Sequence, residues 1–163
     1  MAAPESIDRK VLEALETHGN SLSYIDAAVL FEGSPFDAVD QAVVARQEDT
    51  RTVLAIGMVQ DPAGLRTGAR KRASSRLVVN LLVLHAFAGG TEVRRTNILE
   101  LVDIGVAVAG SFEDWGAAGL RTASGLSDEI MTLQVGDIQV LADPDGNFGG
   151  REIPLTITIN RNA

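Results

Sequence analysis

Residues 76–90, RLVVNLLVLHAFAGG, constrain the fold more than any other stretch of the chain. Leu77, Val79, Leu81, Val83, His85 and Phe87 alternate with Val78, Asn80, Leu82, Leu84 and Ala86. An extended chain here is therefore apolar on both faces. The β-branched valines, the Gly-Gly that ends the run and the basic stretch before it favour a strand over a helix. A strand apolar on both sides is a central one, covered above and below. The run is too short to cross a bilayer as a helix, which takes roughly 20 apolar residues.

The flanking segments supply the rest of a sheet and its cover. APESIDRKVLEALETHGN reads as a helix, with Pro4 in the first turn, Ile7, Val11, Leu12 and Leu15 on one face and Gly19 as the stop. AAVLFEG (27–33) and RTVLAIGMV (51–59) read as strands, and FDAVDQAVVARQ (36–47) as a short helix. In RTNILELVDIGVAVAGSF (95–112), Ile98, Leu101, Val102, Gly105, Val108 and Ala109 fit one helical face, and Gly105 suits close approach to the sheet. Residues 113–129 show no clear period and read as a loop with room for a short turn of helix. IMTLQVGDIQVLADP (130–144) reads as a strand with a break at Gly136, and DPDGNFGG as a hairpin turn. REIPLTITINR (151–161) alternates cleanly, and Pro154, which has no amide hydrogen, places this strand, or its start, at a sheet edge. The order α–β–α–β–β–α–β–β predicts an α+β fold, a mostly antiparallel twisted sheet with helices packed on one side. With 163 residues, the expectation is one domain over 1–163 carrying an extended basic loop at about 61–74.

Composition narrows the function. The chain has no cysteine, which removes disulfides, thiolate metal sites and cysteine nucleophiles. Its formal charge is −8, which argues against a dedicated nucleic-acid binder and against an anionic membrane surface. No apolar leader opens the sequence, so a soluble protein of the cytoplasm is expected. Two histidines, His18 and His85, lack metal-ligand spacing, and both read as structural. Asp143, Asp145 and Asn147 imitate the start of a calcium loop. Phe148 at the sixth position and Pro154 at the twelfth break that pattern. There is no phosphate-binding glycine loop and no nucleophile elbow. No catalytic residue, cofactor or metal is predicted.

One cluster stands out against the acidic background. Arg66, Arg70, Lys71 and Arg72 share the loop RTGARKR. A basic arm of this kind can dock on an acidic face of a neighbouring subunit or of a tube, where charge sets the register. QEDTR (47–51) and FEDW (112–115) could supply that face. Trp115, the sole Trp, has two readings that stay open: an interface anchor or a plug of the core.

The succession of SSRLVVNLLVLHAFAGG, TNILELVDIGVAV and LQVGDIQVLADPDGNFGGREIPLTITINR, behind an N-terminal helix and a basic loop, resembles the tail terminator (tail-completion) proteins of tailed bacteriophages and the related Mu-like prophage tail protein family. The resemblance runs from about residue 5 to 161 and is one of organisation. It implies a structural virion protein, assembled in the host cytoplasm. Its ring of six copies caps the tail tube, ends tube polymerisation and joins the tail to the head and neck. The implied partners are further copies of the chain, the tail tube protein and the neck or head-completion proteins. Genomic DNA would pass the lumen without specific binding, which the acidic balance suits. No membrane, catalysis or cofactor is implied. Two other classes stay open: another ring-forming phage protein (a head–tail connector or tube subunit), and a small ligand-binding domain or enzyme.

Overall fold

The computed structural model of the chain describes residues 3–32, 52–60, 74–86, 91–142 and 148–161. The helix expected at 36–47, the loop carrying Arg66, Arg70, Lys71 and Arg72, and the turn at 143–147 lie outside these residues. The described elements are α1 (Ile7–Asn20), β1 (Ala27–Leu30), β2 (Thr52–Gln60), β3 (Ser74–Ala86), α2 (Thr91–Ser124), β4 (Ile130–Val135), β5 (Gln139–Ala142) and β6 (Phe148–Asn160). The fold is α+β, with both helices on one side of a six-stranded mixed sheet. Strand order is β1-β2-β3-β6-β4, and β5 also pairs with β6. Among the described strands, only β1 and β2 pair in parallel.

The opening run forms β3 in the middle of this sheet, between β2 and β6. Its pairing with β6 is continuous from Ser74↔Asn160 to Ala86↔Phe148. Leu77, Val79, Leu81 and Val83 join Leu54 and Ile56 of β2 and Ile153, Leu155, Ile157 and Ile159 of β6 in the main core under the helices. Leu82 and Leu84 turn to the opposite face. There they pack with Ala27, Val53 and Ala55 in a second, smaller cluster. The alternation is thus two-sided, and the two described helices cover one of the two sides.

α1 begins at Ile7 because the Ser6 side chain accepts the Arg9 amide at 3.1 Å, satisfying a free donor of the first turn. Gly19 does not end the helix. It lets α1 close on the sheet, since a Cβ there would stand 2.8 Å from Ala28 Cβ and Leu54 Cδ2. Asp8 and Arg161 form a two-bonded ion pair, at 2.8 and 3.1 Å, that ties the start of α1 to the end of β6.

Two further expectations are corrected. Residues 113–124 are helical, not loop: α2 continues to Ser124 across a break at Gly116 (φ 55°, ψ −163°). The break shifts the helical phase, so no single period spans the segment, yet Leu120 beyond it is fully buried. Second, β6 is not an edge strand: it has β3 on one side and β4 and β5 on the other. Pro154 is tolerated because its carbonyl accepts the Gly136 amide at 2.8 Å. N–H and C=O of one strand residue point the same way, so its missing amide faces the link between β4 and β5, where no ladder bond is lost. Gly136 gives that link room, as a Cβ would lie 2.6 Å from Pro154 Cγ.

Gly116→Ala isolates the backbone demand of the break, because nothing lies within 4 Å of a Cβ placed there. The φ is one that L-residues avoid, so the variant is expected to lose about 1–3 kcal/mol of stability. Urea unfolding checks this, and an unchanged midpoint would contradict the strained turn.

Candidate functional site

α2 carries more apolar surface than its own sheet covers. Asn97, Leu101, Ile104, Gly105, Val108 and Phe112 are buried, one continuous face at helical spacing. Ile98 and Val102, expected on that face, are exposed, together with Leu99 and Val106. They form a second stripe, and Val106 keeps 61% of its surface in solvent. The direction of this stripe follows from the helix geometry. Ser111 points toward α1, where its hydroxyl meets His18 Nε2 at 3.0 Å. Gly105 sits over Arg151 of β6, where a Cβ would lie 3.1 Å from Arg151 Cγ. Continuing around the helix from Ser111 past Gly105 leads to Ile98, Val102 and Val106, on the flank away from α1.

Beside Arg151 on the same face of the sheet stands Val140 of β5, its register partner, 74% exposed. β5 pairs with β6 alone, so its outer edge carries backbone groups with no partner strand among the described residues. The opposite margin of the sheet is β1, which among the described strands pairs with β2 alone. There Leu30, Met58 and Val59 are exposed and, with Leu12, Phe31, Glu32 and Ile56, line an open cleft of about 500 Å³. The chain therefore has apolar surface at both margins of one sheet. Sequence reasoning missed these patches, although the excess apolar width of α2 was a readable signal.

Trp115 is half-buried and packs against the main core. Its ring stacks on His18, with centroids 4.4 Å apart and planes 16° apart, and meets Phe112 edge-on at 5.9 Å. Burial lowers the His18 pKa, opposed by its hydrogen bond to Ser111, so the neutral ring is favoured in the stack. Burial likewise raises the Tyr24 pKa, again opposed by Ser111. These contacts give Trp115 a packing role between α1 and α2. The acids beside it, Glu113 and Asp114, are exposed on the helix rather than on a loop.

His85 has the one arrangement that could be mistaken for a catalytic centre. Its Nδ1 lies 2.8 Å from Thr52 Oγ1, and its Nε2 lies 3.6 Å from Glu100 Oε2. A hydroxyl, an imidazole and a carboxylate in series are the parts of a nucleophile–base–acid relay. Here Thr52 is 4% exposed and His85 1%, so no substrate reaches the hydroxyl in this conformation. The geometry is that of a buried polar bridge between β2 and β3. Among the described residues, no group of three or more His, Asp or Glu side chains is placed to hold a metal ion. Nor is any described helix long and apolar enough to cross a membrane. No protein-family model matches the chain, and no curated protein matches its sequence.

Thr52→Val keeps the shape of the side chain and removes the hydroxyl. It strips His85 Nδ1 of a buried partner, so a loss of about 1–3 kcal/mol is expected in thermal or denaturant unfolding. A neutral result would mean that the Thr52–His85 bond holds nothing.

Proposed function

We propose that the chain is a structural virion protein of the tail-terminator kind. In this reading it closes into a ring of six copies that caps the tail tube, stops its polymerisation and joins the tail to the head and neck. The observation that carries the reading is the second stripe of α2, Ile98, Leu99, Val102 and Val106, left in solvent beside a complete core. Burying one such side chain contributes about 1.5–3 kcal/mol. A contiguous group of them outside the core is characteristic of a surface made for a partner.

Two further features support it. A closed ring joins unlike patches, because each copy presents one to the neighbour before it and another to the neighbour after it. The apolar surfaces at the β5 and β1 margins meet that need. The formal charge of −8 suits a lumen through which genomic DNA slides without being held, since like charges repel. In this reading the protein works in the virion with the tail tube protein and the neck or head-completion proteins as partners. It performs no reaction and takes no cofactor.

Light scattering after size exclusion, over a range of concentrations, tests the ring. The expected result is a discrete species near six times the 17.2 kDa chain mass. A chain that stays monomeric throughout contradicts the proposal. A species that lengthens without limit as concentration rises replaces the terminator with a tube subunit.

A further inference from the structure

The two margins of the sheet differ in charge as well as in shape. At the β5 margin, the exposed flank of α2 and the exposed Val140 make two walls of a corner. Arg151 lies at the base of that corner, under Gly105. Its guanidinium donates to the Gly150 carbonyl at 2.9 Å, and no described carboxylate comes within ion-pair distance of it. Arg95, exposed on the same flank one turn before Ile98 and Leu99, has no described ion pair either. Glu113 lies toward β4, beside Gly136 and Pro154, and Asp137 stands on the link into β5, so Arg151 and Arg95 are the cations the corner offers.

At the β1 margin, the cleft lined by Leu12, Leu30, Met58 and Val59 carries one carboxylate, Glu32. Glu32 is exposed and has no described cation within ion-pair distance. Along the strands the two margins are offset, so the contact pairs different levels of the sheet in the two copies. Val140 pairs with Arg151, Arg151 with Val83, and Val83 with Leu54. Met58 is four residues beyond Leu54 on β2, about 13 Å along the strand. Tracing directions through the pairs, β5 runs antiparallel to β1.

We infer that the α2–β5 corner of one copy receives the β1–β2 margin of the next copy. Leu30, Met58 and Val59 cover Val102, Val106 and Val140 in this contact, and Glu32 approaches Arg151 and Arg95. The occupant is a second copy of this chain, because both margins expose apolar surface and the cations of one, Arg151 and Arg95, have their complement in Glu32 of the other. The contact is head-to-tail, so an open chain of copies keeps one margin free at each of its two ends until a ring closes. It brings together, in antiparallel sense, the outer edges of β5 and β1, which have no partner strand among the described residues, the arrangement in which strand edges add to one another. This inference rests on the assembly reading above and names the surfaces that carry it.

Two variants separate the margins. One carries Val106→Asp and Val140→Asp in the corner, and the other carries Val59→Asp and Glu32→Arg at the β1 margin. All four positions are exposed, and circular dichroism with thermal melting checks that both variants fold. Each variant alone is expected to associate at least tenfold more weakly than the wild type and to run as a monomer. Mixed, they should form a two-chain species and nothing larger, because one intact corner meets one intact β1 margin.

Glu32→Arg alone should weaken association severalfold, and adding Arg151→Glu in the same chain should restore part of it. A wild type that never associates sinks the assembly reading and this inference with it. A wild type that associates while both variants associate equally well overturns the docking surfaces alone. So does a variant that still pairs with itself, which would mark a symmetric contact.

Discussion

The thirteen-residue ladder between β3 and β6 holds the molecule together. Each of these strands sends an unbroken row of aliphatic side chains to the helix side, Leu77 to Val83 from one and Ile153 to Ile159 from the other. Everything else is hung on that pair. β2 and β1 extend it on one side, and β4 and β5 on the other. α1 reaches across the far end of β6 through Asp8 and Arg161. Substituting Ala for one of these buried leucines typically costs about 2–5 kcal/mol, a large share of what a domain of this size has.

That ladder also determines what α2 can and cannot cover. The helix lies over β6 with Gly105 against Arg151, and its buried face runs through Leu101, Ile104, Val108 and Phe112. Its apolar residues extend over a wider arc than the sheet below it can take. The surplus is therefore aimed at the β5 margin by the same close contact that seats the helix. The polar bridge of Thr52 and His85 plays the opposite part: it closes the end of the core where an aliphatic pair would otherwise stand. The stack of His18 on Trp115 fixes the two helices side by side. The free flank of α2 is thus held by contacts on its other side.

Much of this frame is legible in the sequence, and for identifiable reasons. The two-sided alternation of 77–87 and the one-sided alternation of 153–159 are strong period-two signals, and both strands lie where that period places them. The Ile7–Leu15 face is equally clear. The helical character of 113–124 is hidden because Gly116 resets the phase, so its two halves do not share one period. Pro154 points to an edge because its environment, a link between two partner strands, is a tertiary feature with no local mark. The parallel pairing of β1 and β2 has no local signature either. As for the site, the basic loop of Arg66, Arg70, Lys71 and Arg72 stands out by its charge and lies outside the described residues. The stripe of Ile98, Leu99, Val102 and Val106 merges with the core face as long as one face is assumed for every apolar position of α2. The arc these positions occupy is too wide for one face, and that width separates the two.

Everything turns on whether the free flank of α2 and the two sheet margins become buried together. Amide hydrogen exchange, read by peptide mass spectrometry on dilute and on concentrated protein, measures this directly. Slowing on assembly is expected to concentrate in three places: 98–109, 139–142, and the β1–β2 margin from 27 to 32 and 56 to 60. The β3–β6 ladder, already closed in each copy, should be unchanged. Exchange that does not alter with concentration, or protection that appears only outside these segments, would contradict the head-to-tail assembly.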